Sequence, residues 1–153
     1  GVDVITASSK VSFAPRVAPF AEEHKITFAF HNHSSSAADE VVSPESFAAV
    51  MKAGSRIAIN LDIGHFTAAN HDAVAFLDAN HARIVSLHVK DRKRDQGEHT
   101  PWGEGDVPIA AVLRRLRDRK WDIPVQLEYE YRGQNATTEV AKCLAYCKTI
   151  LNG

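Results

Sequence analysis

Residues 60–66 read NLDIGHF, an apolar run that opens as a strand and closes on Asp62 and His65. Alone, the pair is a turn former beside a stray imidazole. Its meaning depends on whether the other apolar runs end in the same way, and on how many of them there are. The stretch leading into it, RIAINL (56–61), is strand-like. Ahead of it lies SPESFAAVMKAG (43–54), a helix with Ser43 as N-cap, Pro44 at the first helical position and Gly54 at its end. Behind it, DAVAFLDANH (72–81) is helical and IVSLHV (84–89) is again a strand.

The same alternation continues in both directions. VDVITA (2–7) is rich in β-branched residues and bounded by a Ser-Ser pair, so it is a short buried strand. Phe13, Val17 and Phe20 recur at spacings of 4 and 3 along a helix over 13–24, with Pro15 tolerable in an early turn and Pro19 a kink. ITFAF (26–30) is the second strand. VPIAAVLRRLRDRKW (107–121) is a helix with Asp106 as its cap, IPVQLEY (123–129) a fifth strand, and a last helix runs from about 137 to 151.

Strands separated by such helices form right-handed βαβ units around a parallel sheet, so the fold class is α/β. Five units are present, whereas a closed (β/α)₈ TIM barrel has eight and about 250 residues. The chain, 1–153, therefore reads as one domain, the C-terminal five β/α units of a partial barrel. An open doubly wound sheet is the alternative at this length. No Gly-rich loop follows the first strand, which leaves dinucleotide binding without support.

With 44% hydrophobic residues the chain can bury one sizeable core. A formal charge of −1 and a pI of about 6.8 provide no global positive field, so neither nucleic acid nor an anionic membrane is an expected partner. No apolar run approaches the roughly 20 residues of a membrane span, and no basic-then-apolar leader opens the chain. A cytoplasmic protein is the expectation. The chain starts without Met and directly in a strand, which suggests a missing N-terminal part and, with it, any signal. Cys143 and Cys147 lie four apart on one helix face with no CxxC pattern, and read as buried thiols of a reducing compartment.

Functional groups in parallel α/β folds collect beyond the C-terminal strand ends. There the second strand runs into HNH (31–33), the third into Asp62 and His65, the fourth into His88 and KDR (90–92), and the fifth into Glu128 and Glu130. Singly, these are a core histidine, a helix cap and rim charges. Jointly, four successive strands deliver His, Asp, His and Glu to one rim, where converging carboxylates need a cation. Imidazole plus carboxylate without thiolate suits Mn²⁺ first, with Co²⁺, Zn²⁺, Fe²⁺ or Mg²⁺ as alternatives. Such an ion could polarise a carbonyl while a side chain removes the adjacent proton.

The ordered set FHNH (30–33), LDIGHF (61–66), HVKDR (88–92), WGEGDVPI (102–109) and LEYE (127–130) resembles the sugar phosphate isomerase/epimerase superfamily, the xylose isomerase-like TIM barrels. The resemblance implies a divalent-metal-dependent isomerase or epimerase acting on a sugar, sugar phosphate or keto-polyol, with an inosose dehydratase-like β-elimination as the alternative. It carries Asp62, His88 and Glu128 over as metal ligands. His31 takes the slot where the epimerases usually have a Glu, so it stands as fourth ligand or base, with Glu128 as the other catalytic group. His33 and His65 match positions that face substrate hydroxyls. Lys90 and Arg92 sit where a phosphate or enolate oxygen would bind, although Arg92 is equally a solvated loop charge. Glu130 and Trp102 complete the substrate set. KDRKRDQGEHT (90–100) reads as a mobile rim loop. The partner is a small polyhydroxylated molecule. Repair of abasic nucleic acid, as in other relatives, would need further ligands and a basic groove. A third reading is a catalytically silent partial barrel that needs a partner chain, either a second copy or the N-terminal barrel half, to cover its open edges.

Overall fold

The computed structural model describes residues 1–35 and 37–153. Five strands, β1 (Val4–Ser8), β2 (Thr27–His31), β3 (Ile57–Asp62), β4 (Ile84–Val89) and β5 (Val125–Leu127), form one sheet. They pair in chain order, β1-β2-β3-β4-β5, and every pairing is parallel. That order settles the topology. A doubly wound sheet reverses its strand order part-way, whereas a barrel adds each strand beside the last. The five strands are a half-barrel.

Helices α1 (Ala14–Glu23), α2 (Pro44–Met51), α3 (Ile63–Ala68), α4 (Ala73–Asn80), α5 (Ile109–Arg119) and α6 (Ala136–Asn152) accompany the sheet. All six residues of β3 are buried, as expected of a central parallel strand covered on both faces. Phe30, Ile59, Leu61 and Leu87 join Phe47, Phe66 and Leu77 in the core. The alternate residues Asn60, Asp62, Ser86 and His88 are polar, so the sheet's other face carries the chemistry.

Ser43 caps α2 as its sequence implies. Its hydroxyl accepts from Ser46 N at 3.3 Å while Ser46 Oγ accepts from Ser43 N at 2.9 Å, a reciprocal capping box. Asp106 does not cap the helix after it. The N-cap position of α5 is Pro108, and Asp106 Oδ2 instead accepts from Arg94 N at 2.9 Å. The α1 stripe also turns out reversed: Ala14, Ala18 and Ala21 are buried, whereas Phe13 and Phe20 are 41% and 57% exposed. Small residues let α1 lie close to the sheet, and the phenyl rings face a groove beside β1.

The pairing of β3 with β4 contains an irregularity that positions the site. Ile59 pairs with Ile84, but Asn60 pairs with Ser86, so Val85 is an extra residue. Asp62 consequently lies opposite His88. Without the bulge its partner would be Leu87, whose side chain belongs to the opposite, apolar face.

Among the described residues, β1 and β5 each pair on one side only. Beside β1, Ile5, Phe13, Val17 and Phe20 line an apolar cavity of about 350 Å³. Beside β5, Leu116, Trp121, Val125, Leu127, Leu144 and Leu151 line another of about 540 Å³. Both cysteines are free. Among the described residues, no helix is long and apolar enough to cross a membrane.

Candidate metal centre

The ends of β2 to β5 bring seven of the residues singled out in the sequence to one rim: His31, His33, Asp62, His65, His88, Glu128 and Glu130 line or border a cavity of about 330 Å³. Asp62 is fully buried against His31 and His65. One carboxylate oxygen, Oδ1, caps α3 by accepting from His65 N at 2.7 Å, and this fixes the other oxygen. Oδ2 lies 3.9 Å from His31 Nε2, 4.0 Å from His65 Nε2 and 3.0 Å from Lys90 Nζ, fully buried and without an aligned hydrogen-bond donor. The cap thus uses one oxygen of Asp62 and leaves the other available to a ligand role.

His88 Nδ1 and Glu128 Oε2 are 3.2 Å apart. Two sets, His31–Asp62–His65 and Asp62–His88–Glu128, each offer three ligand atoms within 4.8 Å of one another, and they share Asp62. His33 stands further out. Its Nε2 is 3.1 Å from Ser8 Oγ, and its ring meets those of His31 and His65 edge-on.

Burial governs the protonation states. It pushes Asp62 up to about 7, opposed by the Lys90 ammonium and the His65 N–H. It brings His31 down to about 4 and His65 down to about 2, the latter with help from the neighbouring Lys90 and Arg92 charges. Both imidazoles are therefore neutral at pH 7, with a lone pair to give. The contact with His88 holds Glu128 well below the usual carboxylate range against its own burial, and the same contact raises His88. Burial works against the Lys90 charge, but Asp62, Glu130 and Glu128 outweigh it and the net shift is upward.

This donor set fits a divalent transition-metal ion. It combines carboxylates with imidazoles, offers neutral histidines, and contains two buried atoms, Asp62 Oδ2 and His31 Nδ1, without hydrogen-bond partners among the described residues.

Lys90 is only 1% exposed. Its stem packs against Gly64, where an added Cβ would lie 2.3 Å from Lys90 Cγ. Arg92 is also buried, which removes the reading of it as a solvated loop charge. Its Nη2 and Nε donate to Gly97 O at 2.8 and 3.2 Å, and its Nη1 lies 3.1 Å from Ser34 Oγ and 2.9 Å from His65 Nδ1. The 90–100 segment is accordingly stitched down instead of hanging free. Arg92 and His99 form an antiparallel bridge, and Gln96 N donates to Ala68 O at 2.9 Å. Trp102 is not brought to the cluster. It is buried edge-on to Tyr146 and borders the cavity beside β5.

Three contributors went unread in the sequence. Asn32 clasps the end of β3: its Oδ1 accepts from Asp62 N at 2.9 Å and its Nδ2 donates to Asp62 O at 3.1 Å. Asp91 accepts from the backbone N–H groups of Gly103, Gly105 and Val107 at 2.8, 3.1 and 3.3 Å, folding the WGEGD loop around itself. His99 Nδ1 is 3.3 Å from Glu130 Oε2. The HNH and KDR runs flagged the first two positions, but their partners are distant backbone groups that carry no side-chain signal.

The family model described as xylose isomerase-like TIM barrel matches residues 14–150. This chain belongs to that family. Among curated relatives, L-ribulose-5-phosphate 3-epimerase UlaE of Salmonella paratyphi A is 32% identical over 88 residues, which cover 57% of this chain and 31% of that protein. A xylose isomerase domain protein from Planctomyces limnophilus superposes with a TM-score of 0.71 at 17% identity, over 92% of this chain and 50% of that one. The IolI protein solved with a bound zinc atom gives 0.71 at 16% identity, over 92% and 54%. The match thus spans about a third of the curated relative and about half of each solved barrel.

Proposed function

We propose that this chain carries the metal centre of a divalent-metal-dependent isomerase or epimerase, which abstracts a proton next to the carbonyl of a sugar, sugar phosphate or related keto-polyol. The observation that carries this reading is the approach of Asp62, His88 and Glu128, from three successive strand ends, to within 4.8 Å. Family membership and the epimerase name of the curated relative support it. Asp62, His88 and Glu128 would hold the ion, with His31 as the fourth ligand or as the base. Mn²⁺ is our first assignment for this mixed donor set, and the zinc in the related IolI structure supports a divalent ion at such a site.

When bound, the ion supplies positive charge to the carbonyl oxygen as it becomes an enolate. The protein's own groups do the rest. Glu128, ionised at neutral pH, is one proton acceptor, and His31, whose neutral ring has a single lone pair, is either the fourth ligand or the second acceptor. His65 and His33 border the same cavity and meet substrate hydroxyls. Lys90 keeps positive charge beside the enolate oxygen. Arg92 acts one step back by holding His65 and Gly97. The near-neutral net charge favours a small substrate over nucleic acid. The open β1 and β5 edges favour a second reading, in which turnover requires further strands to complete the pocket.

Solvent exchange tests the chemistry directly. Protein loaded with Mn²⁺ and incubated in D₂O with a pentulose phosphate is expected to place deuterium on the carbon beside the carbonyl, as read by proton NMR. Exchange that is absent, or that continues undiminished in chelator or in an Asp62→Asn variant, would overturn the proposal.

A further inference from the structure

Lys90 Nζ stands among three carboxylates, 3.0 Å from Asp62 Oδ2, 3.0 Å from Glu128 Oε2 and 2.7 Å from Glu130 Oε2. Two of these oxygens belong to the proposed ligand set, whereas Glu130 belongs to neither group of clustered ligand atoms. A positive charge on a flexible stem therefore occupies ligand atoms that a divalent ion would use. We propose that Lys90 is an internal competitor of the metal: it bridges Asp62 and Glu128, and yields them to an incoming ion by withdrawing onto Glu130. This inference rests on the metal reading above.

Three contacts support the exchange. Of the carboxylate contacts, only that to Glu130 is an aligned hydrogen bond, and it is the shortest, so a place to withdraw to already exists. His65 is flanked by donors on both sides, Lys90 Nζ 3.0 Å from Nε2 and Arg92 Nη1 2.9 Å from Nδ1. A neutral imidazole can accept at one nitrogen only, and Arg92 has no acceptor state to offer. One of the two contacts is therefore unsatisfied, and departure of Lys90 relieves it. Finally, Lys90 Cγ packs into the space that the missing Cβ of Gly64 leaves, which seats the base of the stem while its far end can turn.

Lys90 thus has a positioning role with a sign that a purely structural role would not produce. An ion that must displace Lys90 binds more weakly by the fraction of molecules in which the carboxylates are free, so removing the ammonium should tighten binding, by roughly tenfold if that fraction is about one tenth. Equilibrium dialysis with Mn²⁺ alone on the whole chain measures this for wild type, Lys90→Met, Glu130→Gln and the double variant, with Asp62→Asn as the site control. Lys90→Met is expected to bind Mn²⁺ about tenfold more tightly than wild type, again on the population argument. Glu130→Gln is expected to weaken binding, and to do so much less in the Lys90→Met background. Should Lys90→Met not fold in chelator, Lys90→Gln, uncharged but still able to hydrogen-bond, takes its place with the same expectation. Unchanged or weaker binding on loss of the charge, or an equal Glu130→Gln effect in both backgrounds, overturns the proposal. If binding in wild type depends on Asp62 and Lys90→Met leaves it unchanged, only the Lys90 inference falls. If neither wild type nor Lys90→Met binds Mn²⁺, the metal reading falls with it.

Discussion

Asp62 divides its duties between two oxygens, one capping α3 and the other aimed at His31, His65 and Lys90. Asparagine keeps an Oδ1 to cap with and removes the ligand charge, so Asp62→Asn is expected to fold and to lose stoichiometric Mn²⁺ binding. The pH dependence follows from the same burial. An acid whose folded pKa is raised from 3.8 to about 7 binds its proton more tightly when folded. Its contribution to stability is complete below pH 3.8 and is lost as pH rises through 7. In chelator, wild type is therefore expected to lose stability relative to Asp62→Asn between about pH 4 and 7, as read by urea titrations at each pH. A difference that grows in the opposite direction would contradict the assignment. Residues such as Asp62, His88 and Glu128 were legible in the sequence because strand ends announce themselves and converging carboxylates require an explanation. The environments of Arg92 and Trp102 were not, since a basic side chain in a charged loop and an indole beside glycines look alike whether buried or wet.

The elements that aim these side chains depend on contacts invisible to local pattern. The extra residue Val85 sets Asp62 opposite His88, and the Asn32 amide ties the β2 end to the β3 end. Asn32→Ala would strand a buried N–H and a buried C=O on Asp62. It is expected to cost roughly 2–4 kcal/mol in urea unfolding and to weaken Mn²⁺ binding in parallel. A neutral result would mean that the clasp is redundant. Strands and longer helices were readable from alternation, caps and glycines, with Ser43 and Pro44 opening α2 as their chemistry requires. The short helix α3 escaped because six residues are fewer than a helical period needs to declare itself. Asp106 misled for a different reason: an acidic residue before a helix is a cap only if its side chain is free, and this one is bonded to Arg94 N.

For the whole molecule, chain-order pairing of five parallel strands decides between barrel and open sheet, a choice that the alternation of elements left open. The Phe13, Val17, Phe20 periodicity was real but faces the groove beside β1 and not the core, because helical spacing does not say which neighbour a stripe meets. Two unpaired parallel edges flanked by exposed Val4, Ile5, Phe20 and Leu144 invite association. Sedimentation velocity of the 153-residue chain is expected to show concentration-dependent self-association, and a strict monomer across the range would show that the edges are protected by other means. All of these features serve one arrangement, side chains distant in sequence gathered at one rim, where we propose that a single cation binds. Crystals grown with Mn²⁺ and measured at its absorption edge test it most directly. One anomalous peak bonded to Asp62, His88 and Glu128 is the expected result. No peak, or one elsewhere while Lys90 still bridges Asp62 and Glu128, would contradict the account.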